Sequence, residues 1–312
     1  MKFIDDKAIE AYVKNFDIKQ MLIIPAILLL LSLSILAYTT YKTGAPVELG
    51  LEFKGGTAVF FDSAKPMDQL EAEYKIFPGV QVREYGGGER KLMQFGPMSD
   101  SQKDELITKI KSEFTNVELR NMGEAFSKTL QGQAVKAIII SFLFMGIVVF
   151  IIFRTFVPSI AVLISAFADI AFAAAMMDVF GIVLSLGTVA ALLMLIGYSV
   201  DTDILLTTRL LKRKGELNDK IKDAMKTGLT MTTTTLAALI ALFIVSSGSY
   251  LVSSFTRIDI IRDISVVLIF GLIADIINTW MTNLGILKWH IEKGTQKTEK
   301  AIEKPKKKRQ TS

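Results

Sequence analysis

Six apolar runs divide the chain, at 21–41, 134–153, 157–177, 180–200, 229–247 and 264–287. About 20 residues at ~1.5 Å rise cross a hydrocarbon core of roughly 30 Å, so each run is long enough to span a membrane. In lipid the backbone must satisfy its own hydrogen bonds, which makes each run a helix. The first run is too long, and the segment before it too mixed, for a cleavable signal peptide. It reads as a retained first helix.

Between the first two runs the pattern changes. Strand-like stretches are LGLEFKG to GTAVFFD, GVQVREY, KLMQFGPM and NVELRN, and helix-like stretches are 66–77 and 101–114. Turn signals separate them at Gly55–Gly56, at Pro78–Gly79 and at Gly86, Gly87 and Gly88. Leu106, Ile107, Ile110 and Phe114 recur at helical spacing, so the second helix buries one face. The order strand–helix–strand, strand–helix–strand predicts a ferredoxin-like α+β domain. The expected plan is a cytoplasmic segment 1–20, a first membrane helix 21–41 and an external domain with its linker, 42–133. Helices two to six follow within 134–287, with a cytoplasmic amphipathic loop at 204–228, and a basic tail 288–312 ends the chain.

Composition agrees with a membrane protein: 51% of residues are hydrophobic and the mean hydropathy is +0.42. Lysine and arginine in short loops set the orientation. Arg209, Lys212, Arg213 and Lys214 follow the fourth run, and Lys288, Lys293 and the KPKKKR stretch follow the sixth. Those segments, and both termini, are expected in the cytoplasm. Arg257 and Arg262 fall on the outer side but are offset by Asp259 and Asp263. Leu217, Ile221 and Met225 give the loop an apolar face for the membrane surface or a partner. The basic tail fits topology and attraction to anionic lipid, or to a ribosome or translocon surface, rather than nucleic acid. The absence of cysteine excludes thiol catalysis and cysteine metal sites, and His290 alone cannot build a usual metal or haem site.

The candidate chemistry is carboxylate. An acid inside a span costs roughly 2.5–3.5 kcal/mol to insert, which points to an inward, functional position. Asp169 is 12 residues from position 157, about 18 Å from the cytoplasmic side. Asp275 is 11 residues from 264, roughly 16 Å from the outer side. Asp201, about 30 Å from the start of the fourth run, falls at the cytoplasmic boundary with Asp203, which points roughly 200° away from it. Arg209, about two turns beyond, is too far round for a good intrahelical pair.

Each has a plainer reading. Asp169 is a proton carrier or an acid bonded to a neighbouring hydroxyl or carbonyl. Asp275 is functional or satisfied by Asn278 and Thr279, and Asp201 with Asp203 gate, dock or simply end a span. The hydroxyls of Thr230 and Thr232 to Thr235 join helices or line a polar path. FKGGT lacks the spacing of a phosphate loop and predicts a bulge or tight hairpin at Gly55 and Gly56.

Four stretches in order resemble the SecF branch of the SecD/SecF family, its archaeal form in particular. GLEFKGGT, with Gly55, Gly56 and Thr57, is similar to GxDFxGGT, and MGEAFSKTLQGQAVKA to VGPxxGxxLxxxAxxA. FRTFVPSIAVLISAFAD resembles the FR…HD pattern. GYSVDTDILLTTR, with Gly197, Tyr198 and Ser199, resembles GYSxNDTVVVxDR. This chain departs from those patterns at several places: Glu124 and Ser127 replace Pro and Gly, and Ala168 precedes Asp169 where the family has His. Asp201-Thr202-Asp203 stands for Asn-Asp-Thr, and Thr208-Arg209 for Asp-Arg.

The resemblance implies a six-span accessory subunit of protein export in the RND superfamily. It would pair with SecD and assist the SecY translocon late in export of an unfolded polypeptide, driven by the proton gradient. No covalent chemistry and no cofactor are implied. Asp169 carries over as the proton carrier, Arg209 as a counter-charge, and Asp201 and Asp203 as a shifted acidic cluster that gates or docks; Asp275 has no counterpart. Half of an RND-type small-molecule exporter and a purely structural subunit are the alternatives.

Overall fold

The structure is a computed structural model that describes residues 6–15, 17–84, 90–247 and 259–293. The turn at Gly86 to Gly88, Arg257 with most of its loop, and the tail beyond 293 lie outside the described residues. A short helix, α1 (Asp6–Asn15), precedes α2 (Ile18–Thr43). A capping box of Asp17 and Gln20 opens α2, and Gly44, at φ 82°, ends it.

The chain then enters a sheet domain: α3 (Leu51–Lys54), β1 (Gly56–Asp62), α4 (Met67–Glu73), β2 (Gln81–Glu84), β3 (Arg90–Phe95), α5 (Asp100–Glu113) and β4 (Thr115–Met122). The strands form one sheet in the order β2-β3-β1-β4, with every neighbouring pair antiparallel. Val59, Phe61, Met93 and Phe95 alternate onto one face and meet Leu70, Tyr74, Leu106 and Ile110 of the two helices. The other face carries Ala58, Phe60 and Leu92 against Leu51.

That last contact corrects one expectation: LEFK is a helical turn, not a strand. Gly50 opens it, and Gly55, at φ 73°, closes it. Gly56, at φ 108°, passes so near β3 that an added Cβ would stand 2.0 Å from the Phe95 carbonyl oxygen. The paired glycines therefore end a helix and start a strand, rather than forming a hairpin or a bulge.

Five helices among the described residues are long and apolar enough to cross a membrane: α2, α6 (Glu124–Phe153), α7 (Phe156–Phe180), α8 (Leu186–Lys212) and α9 (Leu217–Ser247). α7 and α8 are largely buried, whereas α2, α6 and α9 turn side chains such as Leu30, Leu143 and Val245 outward. α10 (Asp259–Ile277) packs against α7, α8 and α9. An added Cβ on Gly271 would meet the Leu195 side chain at 2.3 Å, so α10 lies on α8 with no room for a larger residue.

Three boundaries differ from the apolar runs. Gly181, at φ 68°, ends α7, and Ser185 caps α8, so the fourth long helix begins at Leu186, six residues later than hydropathy places it. The stretch expected as a loop at 204–228 is mostly the ends of α8 and α9. Ile221 and Met225 are buried there with Leu206, Leu210 and Leu284, so the apolar face is used within the chain. The run at 264–287 is no uninterrupted α-helix: α10 widens into a π-turn, Asn278–Asn283, before helix resumes over 284–293.

The sheet domain is strapped to the helices. Leu49 bridges Leu184, the Gly50 N–H donates to the Leu184 carbonyl at 2.8 Å, and the Leu184 N–H donates to the Glu48 carbonyl at 2.7 Å. The Glu48 N–H donates to Asp178 Oδ1 at 3.2 Å. Two of the four motif stretches also meet: the Gln131 side chain donates to the Phe53 carbonyl, and Ser127 is buried beside Gly55.

Candidate functional site: three buried aspartates

Asp169 of α7, Asp203 of α8 and Asp275 of α10 are all fully buried. Packing of α10 against α7 and α8 brings Asp203 to the other two. Counted from Leu186 it is 17 residues along, roughly 26 Å, with α8 continuing to Lys212. Depth counted from position 180 places it at the boundary, but α8 itself starts six residues later. Asp201 points the other way and is exposed.

Each acid is held by neutral donors. Asp169 accepts from Ser199 on Oδ2 at 2.5 Å and from the Asn278 amide on Oδ1 at 2.7 Å. Thr282 Oγ1 donates to Asn278 Oδ1 at 3.2 Å, orienting that amide. Asp203 Oδ1 accepts from the Asn283 amide at 2.8 Å and lies 2.9 Å from Thr279 Oγ1. The same hydroxyl lies 3.0 Å from Asp275 Oδ1. The second oxygens of Asp203 and Asp275 are buried without a hydrogen-bond partner.

Arg209 makes its hydrogen bond away from the three acids. Its guanidinium donates to the Asp223 carbonyl at 2.5 Å and ties α8 to α9. Among the described residues no ion pair joins any of the three acids to a lysine or arginine. Four hydroxyls of the threonine run stay on their own helix: Thr230, Thr233, Thr234 and Thr235 donate back to carbonyls of α9.

Hydrogen counting gives the site its chemistry. A hydroxyl carries one hydrogen, so Thr279 can donate to Asp203 or to Asp275 but not to both. The second contact closes only when its carboxyl is the donor, that is, when it holds a proton. Asp169, with a donor on each oxygen, is set as an acceptor. The three carboxyls together can thus bind a proton between Asp203 and Asp275 while Asp169 stays occupied by its donors.

The residues that build this site were partly hidden. Ser199 belongs to the GYS stretch, where the sequence marks it only as part of a motif. Asn278, Thr279, Thr282 and Asn283 follow Asp275 at spacings of three, four, seven and eight, one polar helix face inside an apolar run. That periodicity was the available signal. Gly197 and Tyr198 lie with Asp201 on the exposed side of α8, and Gly55, Gly56 and Thr57 lie in the sheet domain, where Thr57 Oγ1 donates to Asn121 Oδ1 at 3.3 Å.

The family model "Protein export membrane protein SecD/SecF, C-terminal" matches residues 102–293. Protein-export membrane protein SecF of Methanolacinia petrolearia is 48% identical over 282 residues, covering 90% of this chain and 97% of that one. SecF of Methanothermobacter thermautotrophicus is 40% identical, covering 92% and 95%, and that of Pyrococcus furiosus 39%, covering 89% and 93%. The crystal structure of SecDF, a translocon-associated membrane protein from Thermus thermophilus, shares the fold at a TM-score of 0.69 and 20% identity. It covers 92% of this chain, which spans 38% of that one. The chain belongs to the SecF family of protein-export membrane proteins.

Proposed function

We propose that this chain is an accessory subunit of the Sec machinery that pairs with SecD and uses the proton gradient to assist late export through SecY. The observation that carries the proton step is the single Thr279 hydroxyl between Asp203 and Asp275. An unpaired carboxylate is costly away from water, and taking up a proton removes that cost. The proton moves on and off the Asp203–Asp275 pair, with Asp169 as the fixed acceptor beside it. This shifts the carrier from Asp169, the choice on depth and motif match.

In this reading α10, the π-turn and the helix to position 287 make the sixth span, both termini are cytoplasmic, and the sheet domain is ferredoxin-like and external. The sheet order and the helices after β1 and β3 support that fold. Pairing with SecD is supported by α8, where Leu186, Ala190, Met194, Gly197, Tyr198 and Asp201 form one uncovered stripe. A carboxylate facing lipid is unfavourable, so Asp201 calls for a protein surface.

The test replaces the native subunit in cells with Asp203→Asn and Asp275→Asn variants and follows export of a reporter precursor. Each variant is expected to lose the part of export that disappears when the proton gradient is collapsed. Export that keeps its wild-type rate and gradient dependence in both variants overturns the reading, as does full drive by a sodium gradient alone. Export unaffected by either loss would favour the purely structural role.

A further inference from the structure

In an α-helix the Trp280 carbonyl would accept from the Leu284 N–H, four residues on. In the π-turn that N–H turns to the Thr279 and Met281 carbonyls instead. The Trp280 carbonyl is taken from far along the chain: the Tyr12 hydroxyl donates to it at 2.7 Å. A carbonyl released inside a helix needs such a replacement.

The helix that brings Tyr12 is docked, not dangling. Ile9 is buried in the cluster that holds Trp280, Leu284 and Leu287, and Glu10 pairs with Lys222 of α9. Burial pushes the Tyr12 phenol up to about 12, so it keeps its hydrogen across the physiological range. The π-turn so pinned contains Thr279 and Asn283, the two side chains that meet Asp203 Oδ1.

We propose that Tyr12 is a positioning residue for the three-aspartate site: its hydroxyl holds the π-turn open and thereby places Thr279 and Asn283 on Asp203. Without it the Leu284 N–H can return to the Trp280 carbonyl. Tightening that turn displaces Asn283 relative to Thr279, and hydrogen bonds of 2.8 and 2.9 Å do not survive a shift of about an ångström. The N-terminal helix and the acid site are thereby parts of one device. This rests on the reading of the acids as a proton site, and two readouts keep the questions apart.

The experiment compares full-length wild type, Tyr12→Phe and Ile9→Ala in lipid nanodiscs. Amide hydrogen exchange over 279–285 reads the π-turn, and the infrared carbonyl band of neutral carboxyls, followed against pH, reads the acid site. Asp203→Asn and Asp275→Asn identify that band. Tyr12→Phe is expected to change exchange over 279–285 about threefold to tenfold, as the turn repairs its hydrogen bonds, and to change the proton affinity of the band by a similar factor. Ile9→Ala, which keeps the hydroxyl, is expected to change the band much less at matched melting temperature. Unchanged exchange in Tyr12→Phe overturns the proposal, and so does altered exchange with an unmoved band. If wild type shows no titrating band, the proton reading falls, and with it the claim that Tyr12 positions a proton site; exchange then still decides whether Tyr12 holds the turn.

Discussion

Asp203 and Asp275 stand on neighbouring helices with one hydroxyl between them, Thr279 Oγ1, 2.9 Å from the first and 3.0 Å from the second. Thr279→Val keeps the shape and removes that hydroxyl. Two buried carboxyls then lose a shared partner, which costs about 1–3 kcal/mol of stability. Gradient-driven export is expected to fall at least about tenfold, because the proton loses its bridge at a cost above ~1.4 kcal/mol. Melting of the purified protein and export of a reporter precursor measure the two effects, and Thr279→Ser should restore most of both.

Gly56 marks where the sheet domain tolerates no side chain. Its φ is 108°, and a Cβ there would stand 2.0 Å from the Phe95 carbonyl oxygen. Backbone strain and overpacking together predict a loss of about 2–5 kcal/mol for Gly56→Ala. Gly123, whose Cβ would meet nothing within 4 Å, is the control, and Gly123→Ala should cost less than about 1 kcal/mol. Exchange protection of β1 and β3 amides reads the difference.

Tyr74 gives the sheet domain an alkaline limit. Burial, and then the hydrogen bond its hydroxyl donates to Glu113 at 2.9 Å, hold the phenol above its ordinary range. In the unfolded chain it titrates near pH ~10. Below that both states keep the proton and full stability is present. Above it the unfolded state releases a proton that the folded state retains, so stability falls as pH rises. Melting temperatures between pH 8 and 11 (a range of about three units) should fall less steeply in Tyr74→Phe, which removes the titrating group.

How far these features were legible depended on the period of the pattern. The sheet strands and α5 followed from alternation and from Leu106 and Ile110, because one face of each is buried on the same core. Leu51 to Lys54 misled, since four residues between glycines have no period to read. The start of α8 misled for a different reason: Ile182 and Leu184 are apolar not because they are helical but because they pack on the helix core, and Leu184 bridges Leu49. That error carried Asp203 to the boundary. The π-turn has no hydropathy signature; it shows only in which N–H meets which carbonyl, and in the tyrosine that takes up what is left over.

Asp201 and Asp203, two residues apart, are expected to govern different events. Asp203 is buried and bonded to Thr279 and Asn283, whereas Asp201 is exposed on the side of α8 that carries Gly197 and Tyr198. Asp201→Ala should therefore weaken association with SecD while leaving the titration of the buried carboxyls in the isolated chain as it was. Asp203→Asn should do the reverse, keeping association and altering that titration. Co-purification with SecD from membranes, alongside the infrared carboxyl band of each variant alone, separates the two. Loss of association in Asp203→Asn with none in Asp201→Ala would move the partner surface off this face of α8. The exposed stripe would then need another neighbour, since an acid on a spanning helix does not rest stably against hydrocarbon.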